Sequence, residues 1–208
     1  PRIACLSCIA ILLATATAAF AQRAEPLPKE LEGVGVTEHL GDKSPLDLPF
    51  VDSGGKPVVL KQFFDGKRPV VLTLNYSNCP MLCNLQLNGL FNAFKRMPWD
   101  IGDQFDMITV SIDPLETSER ATMTKQKYLE VYRRAGAAEG WHFLTGKEPD
   151  IKKLADAVGF RYRYSEERRQ YMHVAVTFIL TPDGRVSRYL YGVEYDPQTL
   201  RLSLVEAA

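Results

Sequence analysis

The chain has 208 residues, 25 basic and 25 acidic side chains, 46% hydrophobic and 24% charged residues. That composition belongs to an ordinary globular protein and excludes a disordered, collagenous or multi-span membrane chain. Balanced charge without a basic cluster offers nothing to neutralise a phosphate backbone, so no nucleic-acid partner is expected. Four cysteines are too few for a disulfide-stapled mini-protein, and the length suits one domain.

Residues 3–21 form an apolar, Ala-rich run ending in Ala19-Phe20-Ala21. The small-x-small ending reads as a secretory signal peptide cleaved after Ala21. The competing reading is an uncleaved N-terminal membrane anchor, because the run approaches the ~20 apolar residues that span a bilayer. Only Arg2 is basic ahead of it, and the chain opens with Pro1, so the start is read as incomplete. Either reading exports the remainder, to the periplasm or the outer face of the cytoplasmic membrane. Cys5 and Cys8 fall inside the run and read as small apolar residues, which leaves Cys79 and Cys83.

Residues 22–45, rich in Pro, Gly and charge, read as a linker or loosely packed lead-in, and 46–208 as a single domain. Strand signals come at 49–53, 58–60, 69–76 and 105–112; the last two are β-branched runs suited to strands buried on both faces. After Cys79 the period switches. Cys83, Leu87, Leu90, Phe91 and Phe94 share one helical face. Further helices are expected at 117–135, stopped by Gly136, and at 148–158, with Pro149 in its first turn and Gly159 at its end. A strand at 174–180, the turn Thr181-Pro182-Asp183-Gly184 and a returning strand at 185–191 make a hairpin. Asp196 and Pro197 then open a last helix as cap and first residue. This order predicts an α/β protein of thioredoxin-like fold, a central mixed sheet flanked by helices.

Cys79 and Cys83 lie where a buried strand gives way to a helix. Cysteines four apart stack on one helix face, and the free N–H groups of a helix start favour thiolate. The helical arithmetic puts Cys83 on the core stripe and Cys79 nearer the rim. A C-x-x-x-C spacing leaves room for an ion between the sulfurs. Two thiolates are soft donors suited to copper(I), and an imidazole as third donor also suits copper(II). Of the three histidines, His39 and His142 have no ligand spacing and read as ordinary. His173 stands just before the 174–180 strand, where thioredoxin relatives carry a cis-proline, and is the candidate third ligand. The competing readings of the pair are buried structural cysteines or an inert disulfide.

The residues resemble the Sco/SenC family of copper-binding assembly proteins for cytochrome oxidase. The likeness runs over roughly 48–192: Val70–Tyr76 leading into Cys79-Pro80-x-x-Cys83, Ile108–Pro114 with Glu119 beyond it, Trp141–Gly146, and His173 followed by Phe178–Gly184. The resemblance implies copper ligands at Cys79, Cys83 and His173. It also implies a client in the copper-bearing subunit of cytochrome c oxidase or another copper or thiol protein. Two positions depart from the family pattern: Met172 stands where an acidic residue often precedes the histidine, and Met81-Leu82 fill the motif. Met81 reads as exposed or packed, with an auxiliary soft ligand as the alternative.

Two functions follow. A copper accessory protein would hold the ion at Cys79, Cys83 and His173 with an open position and pass it on by ligand exchange. A thiol–disulfide oxidoreductase would attack with Cys79 and resolve with Cys83 as a redox pair. A peroxidase of the peroxiredoxin type is disfavoured because Tyr76 stands three before Cys79 where Thr is required. Two Cys and one His make a poor structural zinc site. Asp113-Pro114 reads as a strand-end turn, Arg163–Arg169 as a solvated loop, and Trp141 and Phe143 as packing.

Overall fold

The computed structural model describes residues 32–208. The signal or anchor at 1–21, with Cys5 and Cys8, lies outside the described residues. So does the first part of the 22–45 lead-in.

In chain order the strands are β1 (Gly35–Val36), β2 (Pro49–Asp52), β3 (Pro57–Val59), β4 (Val70–Asn75), β5 (Asp106–Ser111), β6 (Trp141–Thr145), β7 (Phe160–Arg161), β8 (Arg163–Ser165), β9 (Gln170–Met172), β10 (Val176–Leu180) and β11 (Val186–Tyr191). The helices are α1 (Leu82–Arg96), α2 (Ser118–Tyr132), α3 (Ala137–Gly140), α4 (Glu148–Ala157) and α5 (Pro197–Ala207). Seven strands form one sheet in the order β11-β10-β4-β5-β6-β2-β3. β4, β5 and β6 run parallel, while β10 and β2 pair antiparallel at the two flanks. This is the mixed, helix-flanked sheet of a thioredoxin-like protein.

β4 and β5 are buried at every residue, as continuous β-branched runs between two layers should be. Alternation splits β4 between two cores. Leu72 and Leu74 join Ile108, Val110, Phe178 and the Ile151/Leu154 face of α4. Val71 joins Leu90, Phe91 and Phe94 of α1, Tyr128 and Tyr132 of α2, and Leu200 and Leu204 of α5. On that second face, Thr73 and Asn75 add polar atoms to an otherwise apolar strand. Thr73 Oγ1 lies 2.9 Å from Thr109 Oγ1, which also accepts from the Trp141 indole N–H.

The expected boundaries move by a few residues. α2 ends three residues early because Arg133 takes a left-handed conformation at φ 55°. α5 starts on the Asp196 cap, whose carboxylate accepts from Thr199 N at 2.8 Å. The segment 141–145, read only as packing residues, is a strand inserted between β5 and β2. The described part of the lead-in is tied down: β1 pairs with β7, Thr37 N donates to Gly159 O at 2.8 Å, and Lys43 bridges to Arg185. The charged run 163–169 is a hairpin, with β8 paired to β9.

Candidate metal centre

β4 ends at Asn75, and Tyr76–Met81 make the turn into α1. Cys79 therefore precedes the helix and does not share its face with Cys83, contrary to the sequence expectation. The two sulfurs meet for another reason. Met81 caps α1 without a side-chain hydrogen bond, and the Cys79 sulfur takes that role by accepting from Cys83 N at 3.3 Å. Both thiols are free and buried, Cys79 at 7% exposure and Cys83 at 4%, so the expected rim position of Cys79 is only a slight difference.

His173 follows the β8–β9 hairpin and enters β10, the antiparallel neighbour of β4. Its Nε2 lies 3.5 Å from Cys83 Sγ, and the donor atoms of Cys79, Cys83 and His173 all fall within 4.8 Å of one another. Nδ1 is 3.1 Å from the Val174 carbonyl, a contact that orients the ring with Nε2 toward the sulfurs. Tyr76 and Phe160 each pack 6.1 Å from the imidazole and confine its plane. Among the described residues this is the one cluster of metal-ligating side chains. The donor set, two soft sulfurs and one oriented imidazole, fits copper.

The electrostatics divide the two thiols. Hydrogen bonding from Cys83 holds Cys79 far down, at about 3, against the opposing effect of burial; His173 and backbone N–H groups of Cys83 and Met81 add to the lowering. Burial, then the neighbouring Cys79 sulfur, pushes the Cys83 thiol well above its ordinary value. Without metal the pair is thus one thiolate beside one thiol.

Two polar straps set this geometry, and neither had a sequence signal. Glu116, in the loop after β5, accepts from Ser77 N at 2.9 Å, from the Ser77 hydroxyl, and from Ser111 Oγ at 2.6 Å. It anchors the turn that presents Cys79. Gln86, fully buried one turn beyond Cys83, donates from Nε2 to Val176 O at 2.8 Å and Thr177 Oγ1 at 3.1 Å. It locks α1 against the strand that His173 enters.

His39 and His142 lie outside this cluster. His39 bonds through Nδ1 to Ala157 O, and burial lowers His142, whose ring packs tilted against Phe63 at 4.3 Å, to about 4. Met81 is 65% exposed, and the Met172 sulfur accepts from Gln170 Nε2 at 3.8 Å. Asp113 caps its own turn through Leu115 N, as expected of a strand-end turn.

Fold and site together define a thioredoxin-like protein with a buried dithiol and a facing imidazole. The sequence profile of the SCO1/SenC family matches residues 43–207, and the chain belongs to that family. A curated protein of Stutzerimonas stutzeri, described as copper-binding, is 22% identical over 123 residues; the match covers 58% of this chain and 56% of that protein. The chain thus spans little more than half the length of the curated relative it matches. An electron transfer protein of Aquifex aeolicus superposes with a TM-score of 0.69 at 28% identity, over 81% of this chain and 94% of that one. Arabidopsis thaliana ScoI with copper bound gives 0.61 at 20% identity, over 81% and 98%. BsSco, described as having a disulfide switch and as a member of the Sco family of cytochrome c oxidase assembly proteins, gives 0.62 at 19%, over 83% and 98%.

Proposed function

We propose that this chain is a copper-binding accessory protein, exported from the cytoplasm, that supplies copper to the copper-bearing subunit of a respiratory cytochrome c oxidase. The observation that carries the reading is the convergence of three donors from separate parts of the fold, with His173 Nε2 3.5 Å from Cys83 Sγ. Copper is cargo here. Three protein ligands leave a position open for an incoming thiolate or imidazole of the client, whereas a closed four-ligand site would hold the ion. The chain's own task is to keep Cys79 ionised, hold the imidazole with Nε2 toward the sulfurs through the Nδ1 contact, and release the Cys83 proton on loading. Among the described residues no helix is long and apolar enough to cross a membrane.

Copper(II) titration of the fully reduced protein tests this reading. One equivalent should produce a thiolate-to-copper(II) charge-transfer band that saturates sharply. No band, or one unchanged in Cys83→Ser, would overturn it.

One observation favours a second reading, in which the pair reduces the client's disulfide. The Cys79 thiolate beside a protonated Cys83 is the arrangement that dithiol exchange needs: Cys79 attacks, and Cys83 then displaces the client sulfur to leave the Cys79–Cys83 disulfide and a reduced client. The two readings share both cysteines and separate at His173, which only metal binding requires.

A further inference from the structure

A cavity of about 130 Å³ lies between the C-terminal ends of β4 and β5 and the facing sides of α1 and α2. The parallel register sets Asn75 opposite Ser111, two residues beyond Thr73 and Thr109, whose hydroxyls meet at 2.9 Å. All four side chains therefore share one face of the sheet. The two threonines satisfy each other, but Asn75, which lines the cavity, is 2% exposed and has no hydrogen-bond partner at either Oδ1 or Nδ2. A buried amide with nothing to bond is costly, and a guest in the cavity is what would satisfy it. Another part of the lining carries a charge without a counter-charge. Glu116 accepts from Ser77 N at 2.9 Å, from the Ser77 hydroxyl and from Ser111 Oγ at 2.6 Å, yet none of the ion pairs among the described residues includes it. Thr124 Oγ1, 2.8 Å from Ser77 Oγ, brings a further hydroxyl to the same lining. Lys127 also borders the cavity, but its Nζ sits over the Tyr128 ring, 5.5 Å from the centroid.

We propose that this cavity is a site for an alkali cation, held by the Glu116 carboxylate, Asn75 Oδ1 and the hydroxyl oxygens of Ser77, Ser111 and Thr124. These donors are oxygens, hard ligands that suit alkali and alkaline-earth ions and not soft copper(I). A single carboxylate among neutral oxygens matches one positive charge, whereas a calcium site gathers several carboxylates. The volume equals that of about four waters at ~30 Å³ each, so an ion fits with part of its hydration shell. Water alone could bond Asn75, but it would leave the Glu116 charge uncompensated. Bound there, the cation ties β4, β5 and α2 to Ser77, two residues before Cys79, and so stiffens the turn that presents this thiol. The site does not depend on the copper reading.

The test is urea unfolding of the reduced, copper-free protein at fixed ionic strength, in sodium, potassium or tetramethylammonium chloride. Methyl groups shield the charge of the last cation from oxygen ligands. With sodium or potassium the wild-type unfolding constant should fall by the factor 1 + [cation]/Kd, about tenfold at about nine times Kd. Sodium-23 NMR relaxation should show bound sodium that potassium displaces. Asn75→Leu keeps the volume and drops both orphaned atoms, so it should lose the sodium signal and the salt response while remaining at least as stable as wild type in tetramethylammonium. Glu116→Gln keeps the shape, removes the charge and should lose both responses too. Equal wild-type stability in all three salts, with no excess sodium relaxation over the variants, would mean that the cavity holds only water and would overturn the proposal. A full salt response in Asn75→Leu would overturn it as well.

Discussion

At the scale of single residues, the site rests on an asymmetry between two chemically identical side chains. Cys79 accepts the Cys83 amide and sits among donors, so its ionised form is favoured down to about pH 3, far below the 9.0 of an ordinary thiol. Cys83 is deeper and faces that charge, so its proton is retained. Iodoacetamide should therefore modify Cys79 first, at a rate flat from neutral pH downward and falling only as the pH approaches about 3. Peptide mapping after partial alkylation reads this out, and label found first on Cys83 would reverse the assignment. His173 supplies the second residue-scale outcome. His173→Ala removes Nε2 but neither sulfur, so tight copper(II) binding should be lost while exchange with a small disulfide proceeds at close to the wild-type rate. A variant keeping full copper affinity would mean that the imidazole is not a ligand.

Among the elements, what matters is how α1, β10 and the turn before α1 are held in register. Gln86 spans α1 and β10 inside the core, with its amide N–H groups on Val176 O and Thr177 Oγ1. Gln86→Met fills a similar volume and removes both bonds, taking a buried donor from Val176 O and leaving Thr177 Oγ1 with the Tyr195 hydroxyl, at a cost of about 1–3 kcal/mol. Urea unfolding should show that loss. Copper affinity should fall as well, although every ligand remains, because the distance between Cys83 and His173 is no longer fixed. Affinity unchanged alongside reduced stability would confine Gln86 to the core. The sequence makes some of this readable. β4, β5 and the β10–β11 hairpin are written in β-branched runs and a Pro-Asp-Gly turn, and the pairing of Cys79 with Cys83 and the candidacy of His173 follow from spacing and from what precedes the hairpin. β6 is not readable in the same way, because Trp141–Thr145 mixes aromatic, imidazole and hydroxyl side chains in five residues between two glycines, and only pairing with β5 and β2 makes it a strand. Gln86 and Glu116 are hidden for a related reason. A lone polar residue in a helix or loop carries no pattern, and its partners lie 90 and 39 residues away in the chain.

For the whole molecule, the sheet separates two polar clusters by the length of its parallel strands. The proposed copper ligands gather at the C-terminal end of β4. At the opposite end Asp106 begins β5, 4% exposed, with its carboxylate 3.1 Å from Arg68. Burial raises Asp106 from 3.8 to about 6, outweighing the attraction of Arg68, with Asp65 adding repulsion. The folded state therefore holds this proton more tightly than the unfolded chain. The resulting stabilisation is complete below about pH 4 and is lost as the pH rises through about 6. Other carboxylates titrate over the same range, so the informative quantity is the difference between wild type and Asp106→Asn. The stability of wild type relative to the variant should fall between about pH 4 and 6 and then level off. Urea unfolding at a series of pH values measures it, and a relative stability that climbs with pH would show that the Arg68 ion pair outweighs desolvation. Copper titration of Asp106→Asn should match wild type, because the rigid β4–β5 pair keeps this carboxylate at the far end of the strands from the sulfurs. A weakened copper site in that variant would mean that the two ends of the sheet are coupled.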